Sequence, residues 1–448
     1  MTTGPGAAFP ATICRIPLAV FPPYTAPYTT YTHRAMAYAR SITALLLLAW
    51  LTALACRSAA APAGDVRTLE NPAGPGARLP RLAKLPDGGL LMSWVEPADN
   101  GHVLKYALLQ NGSWVRQGNV ARGADWFINW SDFPSVAAVD ASFWVAHWLV
   151  RRKDGRAYDY DIAVSVSRDA GATWSAPASP HRDGLAAEHG FAVVFPVQND
   201  AGILWLDGRE RAAGGQAGKS GRFALRYTRI HRDGRMGPEQ VIDGNTCSCC
   251  WPAVAVTPAG PVAAWRSRTD REIRDHATAR LQQGRWTRPV PLHREEWEIA
   301  GCPVNGPALA ARGLRVAAAW YTAANDRPRI RTAFSLDGGQ NFGQPVEVDA
   351  NHPSGRIGIA WMDDRSAVVS WITTAPVTGK DALALRPLQA DGSMGTVRYL
   401  ALMEDGRDNG VPQLAAHEDG LVMAWAIPGR GIETLLIPAD PAGPFARR

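Results

Sequence analysis

A chain of 448 residues is long enough for two or three average domains, yet all-β barrels and propellers of this length commonly form one unit. Its 43 glycines, 34 prolines and 17 tryptophans, in a composition that is 46% hydrophobic, exclude a helical bundle and a disordered chain. The formal charge of +6 comes almost wholly from dispersed arginines, with only five lysines, and no basic block marks a nucleic-acid surface.

In chain order, residues 1–35 are rich in Pro, Thr and Tyr and read as an over-extended start, with Met36 the initiator. Met36-Ala37-Tyr38-Ala39-Arg40, the apolar run over residues 42–55 and the exit Leu54-Ala55-Cys56 make residues 36–56 a signal peptide. Its apolar core is too short to span a bilayer as a mature helix. Cys56 is the expected lipidation site, although Ala53 stands where a lipoprotein signal usually carries Leu. Simple cleavage without acylation is the alternative. Residues 57–65 then form a flexible tether, 66–440 one folded domain and 441–448 a tail. The expected location is the cell envelope, lipid-anchored, periplasmic or secreted, with no membrane contact beyond that anchor.

Within the folded region Trp94, Trp148, Trp205, Trp265, Trp320, Trp371 and Trp425 recur at intervals of 51 to 60 residues. Each closes a short apolar run, and alternating runs such as Ile162-Ala163-Val164-Ser165-Val166 follow after polar loops. Four strands in such a repeat is the arithmetic of a propeller blade. The sequence therefore predicts an all-β propeller of four-stranded blades, seven by this count. A tryptophan at the same place in every copy has a repeated packing role, against the next blade, rather than a ligand role. The seventh copy ends a strand early, and Val66-Arg67-Thr68-Leu69 can supply the missing strand, closing the ring and removing its exposed edges.

Two turns are more specific. Ser167-Arg168-Asp169-Ala170-Gly171-Ala172-Thr173-Trp174 and Ser335-Leu336-Asp337-Gly338-Gly339-Gln340-Asn341-Phe342 fit Ser-x-Asp-x-Gly-x-x-aromatic. In such a turn Asp folds back on backbone amides and Gly takes a positive φ, a stabilising role and not a catalytic one. These turns resemble the Asp boxes of the sialidase superfamily, and Arg78-Leu79-Pro80 is similar to the Arg-Ile-Pro motif that opens sialidase propellers. The resemblance covers the folded region as architecture but only these motifs as sequence. It implies an exo-acting glycoside hydrolase on acidic sugars such as sialic acid, with Arg78 in a trio that grips the substrate carboxylate. Classical sialidases have six blades, so six remains the alternative to seven.

If the four strands alternate in direction, residues entering each first strand and leaving each tryptophan strand share one face, where a site is expected. That face gathers Arg78, Arg268 and Arg356 as the grip, Asp99 as acid, Glu188 as carboxylate partner and Tyr321 as nucleophile. Ion pairs at the surface or between blades are the alternative role for each. Cys247, Cys249 and Cys250 open the fourth inner strand and Cys302 the fifth. In an oxidising compartment they read as two disulfides; as thiolates they can hold Zn or Cu(I), with His189 as an additional ligand. No cofactor is required for the hydrolase. The rival readings are a non-catalytic propeller that binds a glycan or an envelope protein, and a cysteine-based metal-binding protein. In each case a monomer is expected.

Overall fold

The computed structural model describes residues 66–153, 155–213, 221–404 and 406–438, all within one compact unit. The start, signal peptide, lipidation at Cys56, tether and tail expected from the sequence lie outside the described residues. The described chain is all-β, and its sheets form seven blades on a four-strand plan. Their first strands are Arg78–Lys84, Ser135–Ala138, His189–Val197, Ala253–Thr257, Ala308–Arg312, Pro353–Trp361 and Gln413–His417, numbered here as blades 1 to 7. Strands within each blade are antiparallel neighbours, and outside blade 7 they follow in sequence order, so tight connections suffice there. Blade 2 departs from the plan, because its fourth strand shrinks to a bridge between Val164 and Ala178.

The first strands touch one another in sequence around the ring, and that of blade 7 returns to that of blade 1. The closure expected from the sequence is present. Arg67–Thr68 pairs with the last strand, Gly431–Pro438, in the register Arg67 with Leu436 and Thr68 with Leu435. Leu69 N donates to Thr434 O at 2.9 Å, and Thr434 Oγ1 donates to Leu69 O at 2.5 Å. The seven first strands enclose an apolar channel with residues such as Leu82, Val194, Val254, Leu309 and Leu414 on its wall.

All seven repeat tryptophans are at most 5% exposed. At about 25 cal/mol per Å2 each indole contributes about 4–6 kcal/mol of gross burial. Five of them also donate the ring N–H to a carboxylate, a partner that the spacing alone did not reveal. Trp94 reaches Glu96 at 2.6 Å and Trp205 reaches Asp207 at 2.8 Å, each on its own strand. Trp265, Trp320 and Trp371 reach back to Asp243 at 2.8 Å, Glu295 at 3.0 Å and Asp349 at 2.6 Å. Asp243 and Asp349 end the outer strands of blades 3 and 5, and Glu295 leaves blade 4, so these bonds tie each blade to the next.

Both Asp boxes fold as their chemistry dictates. Ser167 Oγ donates to Asp169 Oδ1 at 2.8 Å, and Asp169 Oδ1 accepts from Thr173 N at 2.9 Å. Asp337 accepts from Ser335 Oγ at 2.7 Å and from Asn341 N at 2.9 Å. Gly171 has φ +87°, and a Cβ there would lie 2.7 Å from the Trp144 ring, so both conformation and space demand glycine.

Asp243→Ala would leave the Trp265 N–H and the Ser267 hydroxyl, which also donates to Asp243 at 2.8 Å, without their acceptor. A loss of about 1–3 kcal/mol is expected, read as a lowered midpoint in urea unfolding.

Candidate functional site

A cavity of about 460 Å3 opens on the face where the first strands begin. Its wall comes from loops entering blades 2, 3, 4, 5 and 7 and from loops leaving the tryptophan strands of blades 2 and 3. This is the face that strand alternation selected.

Tyr160 stands at the centre of the chemistry. It begins the third strand of blade 2, Tyr160–Ser167, and its backbone N donates to Ala187 O at 3.1 Å, tying it to the loop that carries Glu188. The ring is 1% exposed and stacks on Phe127 with centroids 4.0 Å apart. Its hydroxyl donates to Asp132 Oδ2 at 2.8 Å, and Glu188, which lines the cavity, acts on it electrostatically. Asp132 is fully buried, and its other oxygen accepts from Phe191 N at 2.8 Å. Gly190 leaves room for this arrangement. A Cβ there would lie 2.2 Å from Asp132 Oδ2 and 2.5 Å from the Tyr160 hydroxyl.

Crowding two carboxyls and a phenol in a dry place suppresses their ionisation. Burial pushes Asp132 up to about 7, against the hydrogen bonds from Tyr160 and Phe191 N that favour its charge. Glu188 is pushed up to about 8 by burial and by Asp132, with the Arg211 guanidinium pulling the other way. Burial and the two carboxyls drive Tyr160 well above the ordinary phenol range. Glu188 therefore keeps its proton at neutral pH, whereas Asp132 lies near its midpoint there and accepts from the Tyr160 hydroxyl when ionised.

Three guanidiniums line the same cavity. Arg156 is held by Asp159, its Nη2 donating to Oδ1 at 3.1 Å and its backbone N to Oδ2 at 2.8 Å. Arg211, on the short helix Arg209–Ala213, lies over the Phe223 ring at 5.8 Å. Arg407 sits 5.8 Å from the centroid of Trp130. The cavity thus combines cations at its wall with the protonated Glu188 carboxyl.

Of the residues selected from sequence, Glu188, Cys249 and Cys302 line this cavity, and Asp99, Tyr321, Arg78, Arg268 and Arg356 do not. Arg78 is exposed. Leu79 takes φ +56° and the register slips between Arg78 and Arg81, so that Arg81 turns inward instead and donates to Gln413 Oε1 at 2.9 Å. Arg268 is spent on Glu272, its Nε donating to Oε2 at 3.0 Å. Arg356 donates to the carbonyls of Gly406 at 2.8 Å and Gly410 at 3.1 Å, bracing the segment that presents Arg407. Asp99 is exposed in the turn between Leu90–Ala98 and Gly101–Gln110. Tyr321 is half-buried with its ring edge-on to Trp297 at 5.8 Å. The sequence search missed Tyr160 because it followed only the starts of first strands and the ends of tryptophan strands. In an antiparallel blade the start of the third strand lies on the same face.

The cysteines correct a second expectation. Cys249 and Cys302 form a disulfide with Cα atoms 6.3 Å apart, whereas Cys247 and Cys250 are free thiols with their Sγ atoms 3.4 Å apart. One bridge is present where two were expected. His189 does not turn toward these sulfurs; it stacks on His181 at 3.8 Å and pairs with Asp183 at 3.2 Å.

No family model and no curated protein matches the sequence. Among solved structures, the chain is similar to a Hadza microbial sialidase at 16% identity and a TM-score of 0.41, over 66% of this chain and 63% of that one. The chain thus spans less than two thirds of that structure's length. It is similar to a polysaccharide lyase described as an ulvan lyase, at 12% identity and a TM-score of 0.51, over 83% and 96% of the two chains. It is also similar to a neuraminidase-like protein of A/little yellow-shouldered bat/Guatemala, at 10% identity and a TM-score of 0.42, over 83% and 95%. At these identities the likeness is one of propeller fold.

Gly190→Ala is expected to force Tyr160 and Asp132 apart and to cost about 1–3 kcal/mol, read by thermal unfolding. Glu188 sets a pH dependence. Its folded value of about 8 lies above the ordinary glutamate value near 4.3, so the folded chain binds the extra proton between the two. Its contribution is then intact below about pH 4 and falls as pH rises toward 8. Glu188→Gln should gain stability relative to wild type, by more than about 1 kcal/mol, on going from pH 5 to pH 8 in urea unfolding.

Proposed function

We propose that the cavity at Tyr160 is the active site of a glycoside hydrolase that removes an acidic sugar from a glycan at the cell envelope. The observation that carries this reading is a buried tyrosine hydroxyl that donates to Asp132 beside a proton-retaining Glu188, in a cavity walled by three arginines. Fold likeness alone does not assign chemistry; the side chains support the reading.

Arg156, Arg211 and Arg407 would hold the sugar carboxylate, since planar guanidiniums pair well with it. Glu188, protonated near neutrality, would give its proton to the leaving glycosidic oxygen. Tyr160 would attack the anomeric carbon while its hydroxyl proton passes to Asp132 in its ionised form, the oxygen that already accepts its hydrogen bond. A neutral nucleophile suits a substrate that brings its own negative charge, because no second anion has to approach it. Water would release the sugar, giving a proton to the Glu188 carboxylate, while the departing Tyr160 oxygen takes its proton back from Asp132. The scheme needs no metal or organic cofactor. We place the protein as a monomer in the envelope, held by an acylated Cys56, with no nucleic-acid partner.

Turnover of a fluorogenic sialoside, and of a parallel set of uronic-acid glycosides, tests the proposal. Tyr160→Phe is expected to lower kcat by about 100-fold or more, Arg211→Ala to act mainly on KM, and Tyr321→Phe to leave both unchanged. Saturable glycan binding without turnover on any acidic glycoside would instead make the protein a non-catalytic glycan binder.

A further inference from the structure

Four sulfurs meet where the loops entering blades 4 and 5 approach each other. The Cys249–Cys302 bond faces the cavity, with Cys302 exposed and Cys249 half-buried. Directly behind it Cys247 and Cys250 are at most 1% exposed, and Cys247 Sγ lies 3.9 Å from Cys249 Sγ. A thiol lies close beside a disulfide, with a second thiol 3.4 Å behind it.

The surroundings favour a thiolate at Cys247. Arg274 Nη1 donates to its sulfur at 3.4 Å. Arg266 is 1% exposed, and its guanidinium donates to the carbonyls of Arg274 at 2.7 Å, Tyr321 at 2.9 Å and Asn305 at 3.0 Å. The Arg266 charge thus rests on backbone carbonyls, and its field favours the thiolate form of Cys247. The hydrogen bond from Cys250 lowers the Cys247 thiol to about 6, against burial and with help from Arg266 and Arg274. Burial holds Cys250 protonated. The thiolate is the nucleophile in disulfide exchange.

We propose that these four cysteines form a thiol–disulfide exchange centre, in which the buried Cys247–Cys250 pair and the cavity-facing Cys249–Cys302 pair trade one disulfide bond. The Cys247 thiolate supplies the electron pair for a bond to Cys249 Sγ, and the Cys249–Cys302 bond breaks with Cys302 leaving as thiolate. Cys250 then attacks Cys247 Sγ, expelling Cys249; the proton of Cys250 is taken up by Cys302, and Cys249 remains as the thiolate. One disulfide is lost and one is made, so no external oxidant or reductant is consumed. The exchange removes the covalent tie between the loops of blades 4 and 5 and leaves two reactive sulfurs in the cavity wall.

Trypsin separates the two states. Residues 236–266 carry Cys247, Cys249 and Cys250 on one peptide, and residues 295–312 carry Cys302 on another. Full-length protein, exposed briefly to a trace of a small dithiol, is quenched in acid, alkylated and digested, and the peptides are weighed. Wild type should yield both the cross-linked pair and an internally bridged 236–266 peptide with free 295–312. Fragmentation of the bridged peptide should place the wild-type bond at Cys247–Cys250; Cys250→Ser should lose that bond and keep only the cross-link and the Cys247–Cys249 intermediate, and Cys247→Ser should keep the cross-link alone. Wild type that yields only the cross-link at every time, with Cys247 and Cys250 both alkylated, overturns the proposal. One zinc or copper ion per chain, released only when the sulfurs are blocked, also overturns it and makes the four cysteines a metal site.

Discussion

The molecule depends on one recurrent contact, an indole wedged between consecutive sheets with its N–H turned onto a carboxylate. Burial supplies most of the energy, but it does not fix direction. The bonds from Trp265, Trp320 and Trp371 to Asp243, Glu295 and Asp349 fix the rotation of blades 4, 5 and 6, each against the one before it. An unpaired indole N–H in this dry seam would cost energy, so sliding one blade past the next is opposed by a specific penalty as well as by lost packing. Seven nearly rigid sheets then present their loops at defined positions around one axis.

That rigidity is what the site uses. Tyr160 and Asp132 belong to blade 2, while Glu188, Gly190 and Arg211 belong to blade 3 or to the loop entering it. Bringing two carboxyls beside a buried phenol is unfavourable, and an isolated loop would relax outward to ionise them. Here the backbone bond from Tyr160 N to Ala187 O and the missing Cβ of Gly190 lock the cluster in place. Stability stored in the blade seams holds groups in a protonation state that water would not allow, a trade often found where function is located.

The architecture was legible because it is written in repetition: tryptophan spacing, Asp-box turns and a displaced closing strand each follow from local rules. The site was legible only in part. The sequence placed Glu188 on the correct face, because that depends on strand direction alone. It could not distinguish Arg78 from Arg81, since a bulge at Leu79 decides which of them turns inward. Arg268 and Arg356 had suitable positions, but Glu272 and the carbonyls of Gly406 and Gly410 occupy them, partners that only three dimensions reveal. Tyr160 carried no signal of its own until Asp132 and Glu188 were seen around its hydroxyl.

The short strand Arg67–Thr68 joins a partner 365 residues further on, measured at Leu69 and Thr434. No growing chain can complete such a contact until its last segment has been made, and closing so long a loop is entropically slow. Ring completion is therefore a late event in the life of the polypeptide. Until then the outer edge of the seventh sheet stays unpaired, and a strand from another copy could dock there in place of the chain's own.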